Sequence, residues 1–141
     1  MAIVLVQGKA THGAGASTLT FNSATTTGNL LVVFSEANSG DTVTSITDTA
    51  GNIYVKAGAA TAHNIPNNQW VEVWYAKNIT GNGANQVSWT FSAGNYHALH
   101  IAEFSGLDTT SPLDTNQGSN TGNSTTAATG AFAITSGDLV V

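Results

Sequence analysis

Trp70, Glu72 and Trp74 stand two residues apart in the run "QWVEVWYAKN" (69–78), the most chemically suggestive spacing in the chain. Side chains alternate along a strand, so an extended backbone puts both indoles and the carboxylate on one face. Val71, Val73 and Tyr75 then take the other face, the natural one to bury. At roughly 3.3 Å per residue the indoles lie about 13 Å apart, a span that suits two or three saccharide units. Aromatic faces stack on sugar C–H surfaces, and a carboxylate between them accepts hydroxyl hydrogen bonds. The competing reading packs both indoles under a loop, such as 106–127, as a second small core. Asn68, in the amide-rich lead-in "NNQ", and Tyr96 complete the candidate ligand-binding set with Trp70, Glu72 and Trp74.

Other reactive side chains are scattered. His97 and His100 are three apart on a strand and so point to opposite faces, while His12 and His63 are remote; no zinc site is expected. Asp41 and Asp48 flank one strand, and Asp108 and Asp114 share one loop. None forms a recognised calcium loop, so turn capping is the expected role and no metal or other cofactor is implied. The strand carboxylates Glu72 and Glu103 would serve a glycosidase only if held about 5–10 Å apart across a cleft. There is no G-x-S-x-G elbow and no phosphate-cradling glycine motif, so the chain is not expected to be an enzyme.

The elements that must position these groups are strands. No stretch shows the i, i+3, i+4, i+7 apolar spacing of a helix; short apolar runs recur between Gly, Asn, Asp and Ser turns. The expected strands are 2–7, 17–22, 29–36, 43–48, 52–57, 69–78, 85–92, 97–105, 128–134 and 138–141. At 141 residues this is one module, spanning 1–141, and an all-β, two-sheet antiparallel β-sandwich of jelly-roll type is expected. "NLLVVF" (29–34) and "HALHIAEF" (97–104) are apolar on both faces, which marks central strands. "QVSWTFS" alternates, and puts Trp89 in the core with Val87 and Phe91.

Composition narrows the partners. Only 8% of residues are charged, the net charge is -5, and the three basic residues are all Lys. Phosphate neutralisation needs a basic patch, so nucleic acid is excluded as a partner, as are anionic membranes. No run reaches the roughly 18 apolar residues of a membrane span. There is no Cys, hence no disulfide and no thiolate chemistry. A neutral surface of hydroxyls and amides suits a polysaccharide or oligosaccharide, or copies of the chain itself. The start reads as a first strand behind an added Met rather than a signal peptide. The end, on bare Val140-Val141, suggests an excised or truncated piece of a longer chain, or a strand that completes a neighbouring subunit. "TGNLLV" (27–32) is echoed by "SGDLVV" (136–141).

The runs "TGNLLVVFSEANSGDTVTSITDTAGNIY", "VWYAKNITGNGANQVSWTFS" and "AEFSGLDTTSPLD" resemble a poorly characterised β-sandwich repeat module of large secreted bacterial and archaeal proteins. The resemblance covers roughly 27–141 and implies a secreted or cell-surface location. It implies sugar binding only through the carbohydrate-active modules that such repeats accompany, and it carries no catalytic motif. Two functions are therefore expected to compete. One is a non-catalytic extracellular carbohydrate-binding module with an aromatic platform. The other is a structural subunit of a cell-surface layer or filament, assembled by strand pairing through apolar ends such as 2–6 and 138–141.

Overall fold

The computed structural model describes residues 2–58, 61–63 and 68–113. All regular structure among them is β: β1 (Val4–Ala14), β2 (Thr18–Thr20), β3 (Leu30–Ala37), β4 (Val43–Asp48), β5 (Val55–Lys56), β6 (Thr61–His63), β7 (Gln69–Ala76), β8 (Gln86–Phe91) and β9 (Tyr96–Ser105). They form two antiparallel sheets. The larger runs β1-β9-β3-β7-β5, with β6 also on β7, and the smaller runs β2-β8-β4. The expected strands 128–134 and 138–141, and with them the echo at 136–141, lie outside the described residues.

The two sheets share one apolar core. Leu31, Val33, Ala76, Leu99 and Ile101 from the larger sheet meet Leu19, Val43, Ile46, Val87 and Trp89 from the smaller. Trp89 is buried, in line with the alternation of its strand. β3 and β9 are central, as their two-sided apolar pattern implies, because each also carries an outer apolar face. Leu30, Val32 and Phe104 form a second cluster there, with Phe34, Val73, Tyr75, Ala102 and Leu107 packed against it.

Several elements depart from the sequence expectation: the expected strands 17–22 and 52–57 shorten to β2 and β5, and β1 and β6 differ more. β1 continues seven residues past Gln7, through "GKATHGA", and pairs with β9 from Val4 to Ala14, with a register shift between Leu5 and Gln7. Gly and Ala are poor strand formers, so pairing with a long central strand decides the conformation here, and local propensity does not. β6 was not expected at all; it is a three-residue edge piece on β7.

Candidate functional site

β7 carries three of the five candidate residues, Trp70, Glu72 and Trp74, and the structure reverses which way they face. Trp70, Glu72 and Trp74 point into the space between the sheets, not to solvent. Glu72 is 3% exposed, Trp74 packs on the shared core, and Val71, on the opposite face, is 41% exposed. Cross-strand volumes explain the reversal. On the inner face Trp70 opposes Ala37 and Glu72 opposes Ser35, so small side chains on β3 leave room for large ones on β7. On the outer face Val71 and Val73 oppose the larger Glu36 and Phe34. Alternation along β7 fixes which residues share a face, and the neighbouring strand decides which face is buried.

An inward carboxylate needs compensation, and β5 supplies it. Lys56 Nζ lies 2.9 Å from Glu72 Oε1, and Trp74 Nε1 donates to Oε2 at 2.9 Å. The ammonium also sits 5.8 Å from the Trp74 ring centroid. Trp70 and Trp74 are half-buried, and Trp70 Nε1 and Ser35 Oγ are buried with no partner among the described residues. The two indoles therefore form a rim of the core, with Glu72 pinned between them, and not an open platform. Asn68 is exposed at the start of β7 in a left-handed conformation (φ 46°), where its carbonyl accepts Gly40 N–H at 2.8 Å.

Most other polar candidates serve as internal staples. Glu103 is fully buried and accepts from Gln7 Nε2, Thr26 N–H and Asn29 Nδ2 at 2.7–2.8 Å. Asp48 accepts from the backbone N–H of Ala50 and Asn52 and from Asn52, Tyr54 and Asn85 side chains. Burial acts to raise its pKa, but these donors outweigh it and hold the carboxyl below the usual range. Burial, then the charge and hydrogen bond of Asp48, pushes the Tyr54 phenol well above its ordinary value. Asp108 caps its turn through Thr110 and Ser111 N–H, as expected, and Asp114 lies outside the described residues. Glu72 and Glu103 stand on strands separated by β3, at the levels of Ser35 and Leu31. That is a rise of about 13 Å along the strand alone, wider than a glycosidase pair.

Asp41 departs from the expected turn-capping role. Its Oδ2 lies 2.8 Å from His97 Nε2, and both side chains are almost fully buried. Oδ1 accepts from Ser92 Oγ at 2.5 Å and Ala93 N–H at 2.7 Å. His97 Nδ1 faces the Ala16 carbonyl at 2.8 Å, and Phe91 stacks on the ring at 3.6 Å between centroids. Both ring nitrogens thus meet oxygen, and the Nε2–Oδ2 contact joins the two side chains directly. Burial opposes the Asp41 charge, yet Ser92, His97 and Ala93 together keep its carboxyl below the usual range. The chain Ser92–Asp41–His97 has the carboxylate in the middle, and no nucleophile lies on the imidazole. It ties the loop after β3 to the one before β9. His100 points to the outer face, opposite to His97, as their spacing requires.

The arrangement that could meet a ligand lies on the outer face of the larger sheet. Ala98 of β9 is flanked by His12 of β1 on one side and Glu36 of β3 on the other. Tyr96 and His100 lie two residues to either side of it and share its face. Ala98 is too small to fill the space, so a pocket of about 170 Å³ opens, lined by Glu36, Asn38, Gln69, Tyr96 and Ala98. Tyr96 is 46% exposed, and the His12 ring leans on it at 6.0 Å. Within the described residues the side chains of Glu36, Asn38, Gln69 and Tyr96 make no hydrogen bond or ion pair. Of the sequence candidates only Tyr96 belongs here. Glu36 and Asn38 were missed because "SEANSG" reads as a strand end running into a turn, and no periodicity shows which neighbour it meets.

Comparison with known protein families, with curated proteins and with solved structures finds no match to this chain.

Proposed function

We propose that this module is a non-catalytic carbohydrate-binding unit whose site is the Tyr96 pocket, not the Trp70–Trp74 strand. One observation carries the reading. Four polar or aromatic side chains with unused hydrogen-bonding capacity converge on one concavity, while the buried carboxylates of the core are all engaged. Sugar recognition needs amides, a carboxylate and an exposed ring face together, and Asn38, Gln69, Glu36 and Tyr96 supply that set. The volume is below the roughly 300–1,000 Å³ of pockets that enclose a drug-sized ligand, so the unit in contact is about one ring. Tyr96→Ala should weaken binding of a hit from a broad glycan array about 10-fold in calorimetry, while Trp74→Phe leaves it unchanged. A flat response across the array removes the reading.

A jelly roll is the finer fold we propose. The chain alternates between larger and smaller sheet from β1 to β4, returns to the larger sheet for β5, β6 and β7, and alternates again through β8 and β9, which supports it. A secreted or cell-surface location and kinship with the secreted repeat module rest on composition and on the three sequence runs above.

One observation favours a structural role as the second reading. β1 is the edge of its sheet among the described residues, and its first residues Val4, Leu5 and Val6 are 51%, 58% and 46% exposed. An apolar edge can accept a strand from another copy. Particles or fibres in light scattering and negative-stain microscopy would support it, and a monomer at high concentration would remove it.

A further inference from the structure

Glu36 differs from every other carboxylate among the described residues. Asp41, Asp48, Glu72, Glu103 and Asp108 each accept at least two hydrogen bonds from their own chain. Glu36 accepts none, although it is half-buried in the wall of the pocket. The cations of the chain are committed elsewhere: Lys9 Nζ donates to Thr20 O at 3.0 Å, Lys56 pairs with Glu72, and Lys77 donates to the Thr110 carbonyl. A carboxylate in a pocket wall with no donor among the described residues can accept hydrogen bonds from an incoming cationic group.

From this we infer that the pocket selects a saccharide bearing a primary ammonium, namely a de-N-acetylated hexosamine unit of a polysaccharide. The inference rests on the saccharide reading above and names the ligand class for that site. The ammonium sits against Glu36 and donates to it. The amide oxygens of Asn38 and Gln69 take its remaining donors or the neighbouring hydroxyls. The exposed face of Tyr96 offers a cation–π surface and a stacking plane for the ring. The same carboxylate repels a uronate and leaves an N-acetylated unit without its ion pair. His12 and His100 are the other titratable groups next to Ala98, and His63 stands opposite Gln69 in the register of β6 and β7; a protonated imidazole at the pocket would compete with the ammonium.

The test compares glucosamine oligomers, N-acetylglucosamine oligomers, oligogalacturonate and a lysine peptide by calorimetry on the full chain. The measurement is made at about pH 6, below the ordinary pKa of an amine, so that the sugar carries its ammonium. The expected result is a preference of about 10-fold or more for the glucosamine oligomer over its N-acetylated counterpart, equivalent to about 1.4 kcal/mol. Glu36→Gln should erase that preference while leaving the thermal midpoint unchanged, since Glu36 has no partner to lose among the described residues. Equal binding of amine and N-acetyl oligomers overturns the inference and leaves the saccharide reading standing. Binding of none of the probes overturns the inference, and the saccharide reading is then decided by the glycan array alone; a lysine peptide that binds as tightly as the amino sugar overturns the saccharide part. Retention of the preference in Glu36→Gln overturns the assignment to this carboxylate.

Discussion

Replacing Asp41 with Ala removes three acceptor contacts at once: Ser92 Oγ at 2.5 Å, Ala93 N–H at 2.7 Å and His97 Nε2 at 2.8 Å. Hydrogen bonds to a charged group contribute about 1.5–3 kcal/mol each, but removing a buried carboxylate also relieves its desolvation. Ser92 and Ala93 are exposed and can turn to water. His97 is 2% exposed and cannot, so its Nε2 is left buried and unpaired. The cost expected for breaking such a buried pair is about 3–5 kcal/mol, and solvation of the two exposed donors puts Asp41→Ala near 3. That is a large share of a total stability of about 5–15 kcal/mol.

Asp41→Asn should cost less, about 1–2 kcal/mol. An amide there donates from Nδ2 to the ring, whose Nδ1–H still reaches the Ala16 carbonyl, and its oxygen keeps Ser92 and Ala93. Urea unfolding followed by Trp fluorescence gives both numbers. The pH dependence has a definite sign. A carboxyl whose folded pKa lies below its unfolded value stabilises fully above the unfolded value and loses this as pH falls through the folded one. The gap between wild type and Asp41→Asn should therefore hold above about pH 4 and close below it. An Ala variant within about 1 kcal/mol of wild type, or an Asn variant as damaging as Ala, would refute the Asp41–His97 pair as a staple.

Two further substitutions test the packing. Ser35→Ala removes a buried hydroxyl that has no partner among the described residues, so urea unfolding should find it within about 0.5 kcal/mol of wild type or more stable. A loss above about 1 kcal/mol would mean that this hydroxyl is hydrogen-bonded after all. Gly106→Ala puts a Cβ at φ 84° against the Ala2 backbone, so calorimetry should show a loss of about 1–3 kcal/mol, and an unchanged midpoint would show that the chain start does not pack there.

Much of the fold is legible in the sequence because turn chemistry and two-sided apolar runs are local signals. β3 and β9 are central for the reason their composition suggests, and Trp89 sits where its alternation puts it. What is not local is the choice of face. The parity of β7 is plain from "QWVEVWYA", but Ser35 and Ala37 decide that the indoles turn inward, and only the register brings them opposite. A charged residue on the Trp face argues for solvent until Lys56 is seen to reach it. The pocket was illegible for the same reason. Glu36, Ala98 and His12 come from three strands, and what matters is that the middle residue is small.

The scarcity of charge takes on a different meaning in the folded chain. Read as composition, -5 describes a weakly acidic surface. In the structure Asp41, Glu72 and Glu103 are buried, each at the meeting point of segments distant in sequence. Glu103 joins the end of β9 to the loop before β3 and to β1, Asp41 joins the loop after β3 to β9, and Glu72 joins β7 to β5. A sandwich without disulfides has long connections whose backbone donors need acceptors away from the ladders, and a carboxylate is the side chain that offers most of them. Burying each ion is costly in itself, so the hubs hold only while every oxygen is engaged, and removing one donor exposes the whole cost. Among the described residues Glu36 is the one carboxylate outside this scheme: it accepts from no donor there, and it has a small neighbour in Ala98, an exposed ring in Tyr96 and open space beside it.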